Sequence, residues 1–104
     1  MSDIKVRAKL EGNETVVKCL MRHPMENGLR KDATTGELVP AHFIQEVVCT
    51  WKGEVVLTAY WSGAVSKNPY LSFKFRGGLV GDPVAITWKD NLGQSQTETA
   101  QISG

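Results

Sequence analysis

IKVRAKLEGNETVVKCLMR, residues 4–22, places two alternating runs on either side of a Gly-Asn pair. In the first run Ile4, Val6, Ala8 and Leu10 share one face, while Lys5, Arg7 and Lys9 share the other. A period of two marks a strand with one buried and one wet face. Gly12–Asn13 turns the chain, and the second run sets Val17, Cys19 and Met21 on one side.

The rest of the chain repeats this pattern. HFIQEVVCTW and EVVLTAYW predict two strands joined by a tight Lys52–Gly53 turn. YLSFKF turns Leu71, Phe73 and Phe75 inward, and PVAITWKD aligns Val84, Ile86 and Trp88. After NLG, QSQTETAQIS predicts a polar closing strand at a sheet edge. Residues 23–41 are a polar excursion, with a short hairpin expected at Thr35–Gly36. No apolar stripe of helical period is sustained, so little or no helix is expected. About seven short strands with frequent turns predict an all-β, immunoglobulin-like antiparallel β-sandwich forming one domain over residues 1–104.

Twelve basic residues against eleven acidic ones give no overall field to attract nucleic acid or anionic lipid. Charges interrupt every apolar run well short of the roughly 18 residues of a membrane helix. MSDIKVRAKL lacks the apolar segment of a secretion signal.

HPMENGLRKD, residues 23–32, gathers ligand-type and charged side chains in one loop. With His42 and Cys49, His23 and Met25 supply the ligand types of a copper site, but not their spacing. No Cys-x-x-Cys or closely spaced His pair suggests zinc, so no metal, cofactor or catalytic residue is expected. Cys19 and Cys49 fall on inward faces, as inert buried thiols or as a disulfide across neighbouring strands. FRGGLVGD has the glycines of turns, with no following helix to bind a phosphate. What remains is interaction: the 23–32 loop and VSKNPYL offer Met, Arg and Tyr, which are enriched at protein interfaces. A stand-alone immunoglobulin-like binding or adhesion module fits the same features.

HPMENGLRKD, VPAHFIQEV, AVSKNPYLSFKFRGG, GDPVAITWKDNLG and the terminal QIS, in this order and spacing, resemble the SoxZ family over nearly the whole chain. The resemblance implies an immunoglobulin-like subunit of the SoxYZ sulfur carrier complex, which serves thiosulfate oxidation. It implies a heterodimer with SoxY, whose cysteine on a glycine-rich arm bears the sulfur, and transient encounters with SoxAX, SoxB and SoxCD. ETAQISG contains neither such an arm nor a cysteine, so the expected role is non-catalytic and non-carrier. The resemblance also implies a periplasmic location reached by export together with SoxY.

Two expectations concern sites. The second faces of the doubly apolar strands, Val16, Leu20, Ile44, Val48, Val56 and Tyr60, are candidates for the SoxY interface. His23, Met25, Arg30 and Lys31 form a candidate docking loop, in which the two cations would face anionic cargo.

Overall fold

The computed structural model describes residues 4–62, 65 and 68–104. Seven strands follow one another: β1 (Ile4–Glu11), β2 (Glu14–Met21), β3 (Ile44–Trp51), β4 (Glu54–Tyr60), β5 (Tyr70–Arg76), β6 (Pro83–Asp90) and β7 (Ser95–Gln101). They form a three-stranded sheet, β1-β2-β5, and a four-stranded sheet, β4-β3-β6-β7, with every strand pair antiparallel. This is the expected immunoglobulin-like sandwich. Ala64, Ser66 and Lys67 of the AVSKNPYL motif lie outside the described residues.

The alternation read from the sequence decides what is buried. Ile4, Ala8, Val17, Cys19, Met21 and Phe75 point inward from one sheet and meet Ile44, Val47, Cys49, Val84, Ile86 and Trp88 from the other. Lys52 and Gly53 both have positive φ, 52° and 83°, as a two-residue hairpin turn of matching twist requires. The small hairpin in the excursion also forms. Asp32 N–H donates to Glu37 O at 2.7 Å and Val39 N–H to Arg30 O at 2.7 Å. The Asp32 carboxylate caps it by accepting from the Thr34 and Thr35 amides, which hold its pKa below the ordinary value.

Beyond the polar edge strand β7 the chain does something its sequence did not announce. Ile102 turns into the core, and Ser103 bonds β1 through Leu10 N–H to Ser103 O (2.8 Å) and Ser103 N–H to Ala8 O (2.9 Å). Nearby, Gly78 has φ +98°, and a Cβ there would run into the Thr15 side chain and Ile102.

Register irregularities correct several expectations. The pairing of β3 with β6 shifts between Ile44 and Glu46, so Ile44 shares the inner face with Val47 and is fully buried. It belongs to the core and not to a surface. A second shift opposite Cys49 and Thr50 leaves Val56 as the extra residue of a bulge, packed against the core. Val16 and Leu20 lie on the outer face of the three-stranded sheet, whereas Val48 and Tyr60 lie on the outer face of the other, so the six do not make one surface. Cys19 and Cys49 are free thiols. They sit on β2 and β3, which belong to opposite sheets and are not the neighbouring strands a cross-strand disulfide assumed.

Candidate functional site

The HPMENGLRKD loop, Asn68, the AHF segment and the turn after β6 meet at the end of the sandwich where β2 finishes and β3 begins. Asn68, with φ 52°, clasps the start of the HPMENGLRKD loop: its side-chain Oδ1 accepts from His23 N–H at 3.1 Å, and its own N–H donates to His23 O. Asn91 does the same for the end of the excursion. Its Oδ1 accepts from Phe43 N–H at 2.8 Å, and its Nδ2 donates to Ala41 O at 2.8 Å. Glu26 and His42 exchange backbone hydrogen bonds and close the excursion on itself. A buried backbone leaves few polar groups unpaired, and here asparagine side chains supply the partners that no strand provides.

At the centre is Asp90, the last residue of β6, whose side chain is fully buried. Its Oδ1 accepts from the amides of Leu92 (3.0 Å) and Gln94 (2.8 Å). Its Oδ2 lies 3.0 Å from His23 Nε2 and 3.0 Å from His42 Nε2. Burial pushes the Asp90 pKa up, but the hydrogen bonds from His23, Gln94, His42 and Leu92 outweigh it, and the net shift is downward. The His23 ring stacks edge-on against both His42 and Trp88, with centroids 4.6 Å apart in each pair. Trp88 Nε1 beside it is buried without a hydrogen-bond partner.

His23 is therefore a buried member of a cluster and not the loop histidine its surroundings in the sequence suggested. Met25 fills an apolar gap against the core, and its sulfur accepts from Ile44 N–H at 3.5 Å. Arg30 is exposed and paired with Glu26, which lies 2.8 Å from its Nη2 and 3.0 Å from its Nε. Lys31 is exposed on the small hairpin. Beside the cluster is an open cleft of about 440 Å³ lined by Met25, Glu26, Arg30, Pro40, His42 and Leu92. Asp90 was not singled out from the sequence. It stands 67 residues from His23 and 48 from His42, and the available signal was an acid at a strand end directly before a turn.

The two cysteines are chemically quiet. Burial raises Cys19 to about 11, against a small opposing backbone hydrogen bond, and burial with the nearby Cys19 raises Cys49 to about 12. Neither offers a thiolate at neutral pH.

The outer faces of the two sheets differ in charge. That of β1-β2-β5 carries Lys5, Arg7, Lys9, Lys18, Lys74 and Arg76 against Glu11 and Glu14, with Arg7 directly opposite Lys18. That of the four-stranded sheet has Glu46 and Lys89 as its charged strand residues among those described, amid Val48, Thr50, Val55, Thr58, Tyr60, Ala85, Thr87, Thr97 and Thr99.

The profile of one protein family, described as "Sulphur oxidation protein SoxZ", matches residues 4–101 of the chain. No curated protein matches it.

Proposed function

This chain belongs to the SoxZ family of sulfur-oxidation proteins, and we propose that it serves there as the non-catalytic subunit of a SoxYZ carrier complex. It pairs with SoxY, whose cysteine bears the sulfur, and helps present that cysteine to SoxAX, SoxB and SoxCD. The observation that carries this reading is the state of Cys19 and Cys49. A carrier needs a thiolate that other proteins can reach, and both thiols here are sealed in the core with raised pKa values. This supports a reading in which the carrier cysteine is supplied by a partner.

The outer face of the four-stranded sheet is the better surface for a permanent partner. Interface cores are depleted of charge and enriched in aromatics, and on this face Tyr60 is 78% and Val55 61% exposed. The basic face of the other sheet suits brief, charge-steered encounters. Co-expression with SoxY tests both statements. The wild type co-elutes with SoxY, Tyr60→Glu together with Val48→Asp abolishes co-elution, and Leu20→Glu on the basic face leaves it intact. Failure of the wild type to pair removes the subunit role. Loss on Leu20→Glu alone moves the interface to the other sheet.

Within the HPMENGLRKD loop, Lys31 is the better cation to meet anionic cargo, since Arg30 is held by Glu26. Lys31→Glu is expected to slow cargo loading several-fold with pairing unchanged, measured as thiosulfate-dependent turnover of the reconstituted system. Unchanged turnover removes Lys31 from that role.

A further inference from the structure

We propose that His23, His42 and Asp90 form a zinc site whose fourth position opens into the adjoining cleft. Among the described residues these three are the one group whose ligand atoms converge, all within 4.8 Å of one another.

Both ring nitrogens of His23 face oxygen acceptors: Nδ1 the Pro24 carbonyl, and Nε2 the Asp90 Oδ2. A neutral imidazole has one N–H and one lone pair. With the N–H on Nδ1, the Nε2 lone pair faces a carboxylate oxygen, and a metal ion between them satisfies both. With the N–H on Nε2 instead, the ring donates directly to Asp90. An Nδ1–H bonded to a backbone carbonyl is the outer contact that orients a metal-binding histidine, with Nε2 turned to the ion.

Two imidazoles and a carboxylate are a zinc donor set, and zinc with three protein ligands keeps one position for solvent. Ligands about 2.0–2.1 Å from a tetrahedral ion stand about 3.4 Å apart. Both Nε2–Oδ2 separations are 3.0 Å, so each pair needs little adjustment. The two ring nitrogens must draw closer. His42 has the freedom to do so, because its side chain is 29% exposed and lines the cleft. The same cleft gives an ion access and a water its place.

Zinc chloride titrated at pH 7 into chelator-stripped protein, followed by calorimetry and by competition with a chromophoric zinc indicator, tests the site. One equivalent should bind and raise Tm. His42→Gln keeps an N–H for Asp90 but offers no imidazole, so it should fold normally and lose the zinc. His42→Ala serves as the second variant. Cobalt(II) in place of zinc should give the intense visible bands of a tetrahedral site. Absence of saturable binding near one equivalent overturns the proposal and leaves the His23 ring as a hydrogen-bond donor to Asp90. Equal zinc binding by wild type and both His42 variants also overturns it.

Discussion

β6 runs between two aspartates, Asp82 just before its first residue and Asp90 at its last, and the two ends of the sandwich differ as these two side chains do. Each carboxylate lies within hydrogen-bond distance of a ring nitrogen and accepts from backbone N–H, and each has its pKa lowered. Asp82 takes Trp51 Nε1–H at 2.9 Å and the Leu79 amide at 3.0 Å, and so pins one turn to one strand. Asp90 is buried and gathers His23, at the start of the excursion, His42, just past its end, and two amides from its own turn. Asp82 completes a local clamp. Asp90 ties the two ends of the excursion to the turn after β6, where Asn68, Asn91 and the Glu26–His42 backbone bonds also hold them.

The sharpest way to break this comparison is to remove each carboxylate. Asp90→Ala leaves two histidines and two amides facing a buried void, and losing one partner of a buried ionic group costs about 3–5 kcal/mol. Chemical denaturation should show that loss, with the damage concentrated in residues 23–43 by hydrogen exchange. If Asp82→Ala destabilises the protein as much, the distinction between hub and clamp is wrong.

That contrast also marks how far the sequence could be read. Strands were legible because alternation is local: IKVRAKL and YLSFKF place their inward side chains with no knowledge of the partner sheet. Ile44 and Val56 were misplaced because a bulge adds one residue and reverses the face of all that follows, and nothing in FIQEVV or EVVL announces one. The cluster at Asp90 was illegible for a different reason. His23 and His42 were weighed as ligands and dismissed on spacing, but spacing along the chain excludes only local sites. The third member comes from a strand end that tertiary packing brings near. Arg30 looked like a free cation because its partner Glu26 is four residues back on an irregular loop, where no helical period prompts the pairing.

The smaller effect belongs to Asp82, and its pH dependence sharpens the contrast. The hydrogen bond from Trp51 lowers the Asp82 pKa, burial opposes it, and the Leu79 amide and Lys52 add to the lowering, so that the net shift is downward. A carboxylate with a depressed folded-state pKa contributes stability above its unfolded value of about 3.9, and that contribution is lost as the pH falls through the folded value. Asp82→Asn removes the charge while keeping an oxygen acceptor for Trp51. Its Tm should therefore lie slightly below that of the wild type at pH 7, and the gap should close as the pH drops below about 4. Thermal unfolding of both proteins between pH 3 and 7 measures this. A gap that persists unchanged to pH 3 would mean that Asp82 acts through shape alone, without any part for its charge.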